Sequence, residues 1–429
     1  MTALPAASAA PTGRQLLALS LPAIAIGVLS AGMLWLLDEA AHLLEGALWE
    51  VLPDAVGVDG ADWFWILGIL TLTGLAVGLV VWLAPGHGGH DSATVELVAP
   101  VLRPTALPGV AIAVLLGLAG GVSLGPESPI IAINTALAVA LLARLAPAVP
   151  QDLIIMITAA GTIGAMFGTP VAAALIFTGL VAGIRGGGAL WDKLFLPLVA
   201  AGAGAATTGL LGGPMVVLAL PEYAGPAPID FLTGVLVAAV ATGLGVVATF
   251  VFPHLHRAFR ALKHPVAYLT LGGALLGVLG IIGGPVTLFK GLTQMGDLLE
   301  LDLGIGALVV VIVVKLAALL VAATAGFRGG RIFPAVFIGV AVGLLAVAVV
   351  PSIPLPLAIA CGVVGIVLVV GRDGWLALFL GVAVGGDIRL LPVLCIVVLP
   401  AWLITRAVPE MIVHAPVAQA ESEPAHGGA

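Results

Sequence analysis

Glu127 is an acid embedded in apolar sequence. It stands between Pro126 and Pro129, beside Ser128, directly before the apolar run Ile130–Leu142. The chain ahead of it is a glycine-rich break, from Gly120 and Gly121 to Gly125. The first N–H groups of a helix lack internal acceptors, and the dipole there is positive, so this is where an anion is stabilised. At an exposed helix start a carboxylate gains under about 1 kcal/mol from that field. At membrane depth a charged group is costly and marks function. A carboxylate beside an anion site competes with the anion. Once protonated it can move aside, so one glutamate can act as gate and proton carrier.

A second break, Gly326 to Pro334, precedes the apolar run Ala335–Val350. Gly329 and Gly330 permit close backbone approach, and Pro334 suits the first turn of a helix. Arg328 and Arg331 either draw anions toward a pore or anchor a span end. Paired broken segments in the two halves of an apolar chain point to a transporter's binding site. Lys315, inside Val309–Ala323, has no acidic neighbour in sequence. It must find a partner, snorkel, or add positive potential to an anion path.

A third segment, Pro85 to Ser92, carries His87, His90 and Asp91. Their spacing fits a metal site, a polar loop at a helix end, or a pore lining. No further cluster completes a metal site. Asp91 would repel an anion, so it is expected to pair with His90 or face away. Histidine as a residue type changes charge near neutrality, so a pore-facing His90 would make selectivity sensitive to pH in principle.

The elements that must position these groups are membrane helices. The chain is 61% hydrophobic and 9% charged, too few charges to be solvated on all sides. Runs of spanning length include Leu16–Leu37, Trp63–Leu83, Phe231–Phe252, Ile305–Ala325 and Leu378–Ile404. Shorter or glycine-broken runs, such as Leu107–Leu124, read as tilted or half-membrane helices buried by protein. Roughly ten to fourteen helical elements are expected. Arg14 precedes a first helix that is retained, because no small-residue cleavage site follows. The basic segment His254–His264 is placed in the cytoplasm by the positive-inside rule, and Arg14 and Arg406 agree, so both termini are cytoplasmic. Segments 1–14 and 413–429 are read as unstructured, around one transport domain over 15–412. That domain divides at the proline-bearing linker near Gly213–Asp230 into halves of about 20–210 and 230–412. Cys361 and Cys395 lie in apolar runs and read as buried thiols. No long basic run exists, which argues against nucleic acid.

In this order, the segments resemble the CLC family of chloride channels and chloride/proton antiporters, in a divergent bacterial branch of ion-transport proteins. Gly125-Pro126-Glu127-Ser128-Pro129 is similar to the family's Gly-Arg-Glu-Gly-Pro motif. Gly330-Arg331-Ile332-Phe333-Pro334 is similar to Gly-x-Phe-x-Pro, and Phe167-Gly168-Thr169-Pro170 to Phe-Asn-x-Pro. Gly88-Gly89-His90-Asp91 occupies the place of Gly-Ser-Gly-x-Pro. The resemblance covers about 15–412. It implies an all-α polytopic membrane fold, an inverted repeat of tilted and broken helices. It also implies a homodimer in the bacterial inner membrane with one pore per subunit. The implied transported species is chloride or another small anion, and no cofactor, metal or enzymatic activity is expected. Glu127 falls on the gating glutamate. Gly125, Ser128, Arg331, Ile332, Phe333 and His90 fall on or beside the anion-binding positions.

Four departures carry weight. His90, beside Asp91, stands where the family has its coordinating serine. Pro126 replaces the arginine before the gate and has no N–H. The inner proton-handling glutamate falls near Leu180, after Gly179. The pore tyrosine falls near Met411, while Tyr223 and Tyr268 lie elsewhere. The missing inner acid favours a channel or uncoupled carrier. The alternative is an antiporter with a substitute inner acid, for which Asp152, Asp192 and Asp373 are candidates. A remote alternative is a metal-dependent membrane enzyme using His87, His90 and Asp91.

Overall fold

The computed structural model describes residues 12–182, 189–212 and 218–414. The segments read as unstructured, 1–14 and 413–429, lie outside them except at their inner edges. There, Gly13 and Arg14 already belong to the first helix, Gly13–Gly46.

The described residues form sixteen α-helices. Among the described residues, nine helical segments are long and apolar enough to cross a membrane. The expected spans recur with two changes. The first continues beyond Leu37 through a π-helical turn at Ala47–Val51 to Val56, and that turn carries Trp49. The run Leu378–Ile404 is divided into Gly374–Gly385 and Leu391–Arg406. Gly386 takes a left-handed conformation (φ 72°) that ends the first piece, and the Asp387 carboxylate accepts the Arg389 N–H at 2.8 Å to start the next. Extra helices therefore arise where hydropathy is continuous but the backbone turns.

Helices too short to span are sheltered by their neighbours. In Leu355–Gly371 every residue from Pro356 to Val370 is buried, so this apolar helix is a core element that meets no lipid. Close approach relies on glycine. A methyl group at Gly74 of helix Trp63–Leu83 would strike the Leu269 carbonyl, and one at Gly273 of helix Pro265–Gly283 would strike that of Leu70. Gly339 and Gly343 give helix Ile332–Val349 the same contact with Leu355–Gly371. Small residues at crossings let membrane helices gain dispersion contact without a hydrophobic driving force. Cys361 is buried as expected, whereas Cys395 is exposed on the outward face of Leu391–Arg406; both are free thiols.

Candidate functional site

The two breaks superpose in sequence by one constant offset. It carries Gly121 onto Gly326, Gly125 onto Gly330, and Pro129 onto Pro334. Gly121 (φ 87°) and Gly326 (φ 90°) are both left-handed, a conformation open to glycine at no steric cost. One residue later, Val122 N–H returns to the Gly117 carbonyl at 3.1 Å and Phe327 N–H to that of Ala322 at 3.3 Å. Each break thus leaves its preceding helix by the same turn. The breaks then meet as an antiparallel bridge: Gly125 N–H donates to Gly330 O at 2.9 Å, and Gly330 N–H donates to Gly125 O at 2.6 Å. Two helices start immediately beyond it, Glu127–Leu145 and Ile332–Val349. Pro129 and Pro334 sit in their first turns, where no intrahelical bond is lost.

Glu127 lies inside this junction and is fully buried. Its Oε1 accepts the Phe333 N–H at 2.7 Å, across from its own half of the chain. The Ile332 and Glu127 amides also face the carboxylate. Oε2 has no partner. A methyl group at either Gly125 or Gly330 would collide with this carboxylate, so the bridge glycines form its cradle. An acid oxygen thus occupies a pocket of backbone N–H groups at the start of the opposite helix, where a free anion would be stabilised in the same way. The bare second oxygen is the natural place for a proton, since an unpaired buried charge is costly.

The arginines of the second break do not point into the junction. Arg328 donates to the carbonyls of Gly88 (3.0 Å), His87 (2.8 Å) and Gly326 (2.9 Å). Arg331 donates to the carbonyls of Met411 and of Val95, the latter at 3.0 Å. Both are buried clamps, so Arg331 can serve an anion only through its backbone and its field. Ser92, which sequence reasoning passed over, completes the clamp. Its buried hydroxyl donates to Phe327 O at 2.5 Å and accepts from Gly329 N–H at 2.9 Å.

The third segment is dispersed by the fold. His87 (φ 52°) places Nδ1 3.1 Å from Val81 O, and His90 places Nε2 2.9 Å from Pro100 O. Asp91 turns to Arg260, with His256 at 3.4 Å. It therefore pairs with the basic segment rather than with His90. Among the described residues no three His, Cys, Asp or Glu side chains gather as metal ligands. The constellation that a metal enzyme would need from His87, His90 and Asp91 is thus not formed. His90 does share a small cavity with Ser128 and Gly329, beside the first break. Lys315 finds carbonyl partners: its ammonium donates to Thr287, Leu288 and Phe289 at 3.0, 2.9 and 2.8 Å, with the Phe337 ring 4.8 Å away. The loop it holds touches the first break, because Phe289 N–H donates to Gly121 O at 3.0 Å.

A cavity of about 480 Å³ reaches Ser128 and Ile332. Its polar lining includes Glu96, Asp373 and Glu410 together with Arg331 and Arg372, and Met411 lies on its wall. Glu96 and Glu410 had no motif around them in sequence and only folding brings them here. Asp152 is instead exposed in the first turn of helix Gln151–Phe167, and Asp192 accepts the Ala189 N–H at 3.1 Å at another helix start. Gly179 and Leu180 lie in helix Pro170–Ala182, and the Leu180 side chain is outside the described residues.

Broken helices meeting head to head inside a multi-pass helical domain define a membrane protein of ion-transport type. Residues 69–406 match the model of the voltage gated chloride channel family, and the chain belongs to that family, the CLC family. It is 50% identical over 410 residues to "Putative ion-transport protein YfeO" of Shigella boydii serotype 4, covering 95% of this chain and 98% of the relative. The protein of the same description in Escherichia coli K12 is 49% identical over the same coverage. Among solved structures, the chain is similar to a slow cyanobacterial Cl⁻/H⁺ antiporter (TM-score 0.76, 16% identity, 93% of this chain and 95% of that one). It is also similar to a CLC-type fluoride/proton antiporter (TM-score 0.69, 20% identity, 93% and 98%). At these identities the structures speak for the fold, which is the expected all-α CLC architecture.

Proposed function

We propose that the chain moves a small anion, chloride first, through a CLC-type pore in which Glu127 is the gate. The observation that carries this reading is the buried Glu127 carboxylate on the Phe333 amide, between two helix starts. The carboxylate stands in for the anion in the closed state. Protonation of Oε2 removes its charge, weakens its hold on the Phe333 N–H, and lets an anion take its place. The Ile332 and Phe333 amides then hold the anion, with Gly125 and Ser128 shaping the first-break side. Arg331 contributes field from its clamped position, and His90 faces the approach beside Ser128.

Absence of a carboxylate at Leu180 favours a channel or uncoupled carrier. A second reading, proton antiport, is supported by the cavity lined by Glu96, Asp373 and Glu410, which gives an inner proton acceptor a place to be. Of the three acids named from sequence, Asp373 is the one on that cavity. The working form in this reading is a homodimer in the bacterial inner membrane, with both termini cytoplasmic. The basic segment 254–264 supports that orientation.

The deciding experiment is anion efflux from liposomes holding purified protein, with internal pH followed simultaneously, for wild type and Glu127→Gln. Chloride flux without pH change is the expected result. Uphill proton movement that vanishes in Glu127→Gln selects the antiporter. No flux of chloride, fluoride or nitrate sinks the transport reading.

A further inference from the structure

Arg260, in the last turn of helix Pro228–Arg260, bears on three separate parts of the chain. Its guanidinium pairs with Asp91 and stacks on the Tyr268 ring, 4.2 Å from the centroid. It also lies against Gly326, where a methyl group would come within 2.9 Å of an Arg260 terminal nitrogen. Gly326 is the left-handed turn by which the second break leaves its helix. Asp91 directly precedes Ser92, whose hydroxyl donates to Phe327 O and accepts the Gly329 N–H of that same break. Arg328, from inside the break, donates to the carbonyls of His87 and Gly88 on the Asp91 segment. One side chain from another helix therefore touches both halves of the clamp.

His256 sits one helical turn before Arg260, on the same face. Its Nε2 is 3.2 Å from Arg260 Nε and 3.4 Å from Asp91 Oδ2, the oxygen that Arg260 pairs with. Arginine only donates, so Nε2 accepts here and the ring is neutral, with its hydrogen on Nδ1. In that form Nε2 has nothing to give Asp91. A protonated ring donates from both nitrogens. Its Nε2–H would face the Arg260 Nε–H, and its acceptor at 3.4 Å would be the oxygen that Arg260 already holds. The other Asp91 oxygen accepts the Ala93 N–H at 3.1 Å. Tyr268 faces the group from helix Pro265–Gly283. Arg328 and Arg331, from the second break, add positive potential around Asp91. Two cations would thus compete for one carboxylate oxygen in a partly buried cluster, where like charges repel strongly. Histidine as a residue type changes charge near neutrality, and the His256 side chain is 12% exposed, so protons reach it.

We infer that Arg260 is a positioning residue for the second break, seated on Asp91 and Gly326, and that the charge on His256 decides whether it stays seated. Neutral His256 holds Arg260 in place by accepting from Nε. Charged His256 takes Asp91 and expels the guanidinium from Gly326. The turn at Gly326 and the Ser92 clamp then loosen together, and with them the amides that follow at Ile332 and Phe333. The positioning stands apart from the transport reading; its effect on flux rests on that reading. This pH response is separate from the one at Glu127, which lies on the other break and makes no contact with His256 or Arg260.

The test is amide hydrogen exchange of the purified full chain, read over the second break at pH 7.5 and pH 5.5 and corrected for intrinsic exchange. Protection in wild type should fall about tenfold at pH 5.5. His256→Gln keeps an acceptor for Arg260 and cannot charge, so its protection should be equal at the two pH values. Asp91→Asn removes the contested carboxylate and should also flatten the response, with low protection at both. Arg260→Gln should lose about tenfold at pH 7.5, and Arg260→Lys should restore part of it. Equal protection of wild type at both pH values, or a wild-type response in His256→Gln, overturns the switch. Arg260→Gln protected like wild type overturns the positioning. Flux is then measured with Glu127→Gln as the background, to remove the gate's own response. It should fall several-fold between pH 7.5 and 5.5, and adding His256→Gln should abolish that fall. An unaltered fall in the double variant counts against the inference and leaves the transport reading intact. The expected exchange pattern without flux of any anion keeps the positioning and counts against the transport reading.

Discussion

The first break places Glu127 at the junction, and the second places Ile332 at the same position of the repeat. Around that one difference the two breaks diverge in a consistent way. Where the first has Ser123, with a buried hydroxyl that finds no partner, the second has Arg328, with three carbonyl partners. Where the first has Pro126, the second has Arg331, clamped to Met411 and Val95. The second break is therefore fixed and offers amides. The first offers a carboxylate with one oxygen on the Phe333 amide and the other unpartnered, the charge that would leave in the proposed gating. An inverted repeat supplies two equivalent helix starts, and the gating proposed for Glu127 needs them to be unequal: one would bind while the other moves.

The strongest way to break this comparison is to remove the charge that only the first break has. Glu127→Gln should raise anion flux at neutral pH by about tenfold, or about 1.4 kcal/mol of barrier, and abolish its dependence on external pH. Flux assays across a pH series check both. An unchanged pH profile would show that the gate lies elsewhere.

Lys315→Met comes next, because it strips three carbonyls of their donor and loosens the loop resting on Gly121. A loss of about 3 kcal/mol in stability is expected, read by thermal unfolding in detergent. Arg328→Lys keeps the charge and loses the planar fork. About 2 kcal/mol should go, since one ammonium cannot reach three carbonyls in that geometry. If that variant is as stable as wild type, the second break is not the rigid partner described.

Gly330→Ala probes the cradle itself. The new methyl group meets the Glu127 carboxylate, so anion affinity should change by about tenfold, equivalent to about 1.4 kcal/mol. In a Glu127→Ala background the same substitution should cost far less, which a double-mutant cycle measures directly. The smallest effect belongs to His90→Ser. Its ring holds the Pro100 carbonyl at the edge of a small cavity, and stability should move by no more than about 0.5 kcal/mol. A change in anion selectivity or its pH dependence in that variant would bring His90 into the pathway.

Hydropathy located spans such as Trp63–Leu83 and Ile305–Ala325, because a run of some twenty apolar residues has one cheap environment. Trp63–Leu83 emerges with the bounds read from sequence. The same signal failed at Leu378–Ile404, where apolar character runs through a turn made by Gly386 and Asp387. Backbone direction is set there by one left-handed residue and one cap, and neither alters mean hydropathy.

The sequence by itself determined the two breaks, the carboxylate in one of them, and the helices they start. Those features follow from glycine, proline and charge placed against an apolar background, all of them local. Tertiary structure alone decided what the charged groups do. It set Glu127 on an amide of the other half. It turned Arg328 and Arg331 to backbone carbonyls, sent Asp91 to Arg260, and gave Lys315 three carbonyls. It also gathered Asp38, Glu45 and Asp297 on one cavity. A buried charge must be satisfied by whatever the fold brings within about 3 Å. That partner lies far away along the chain, so spacing carries no record of it.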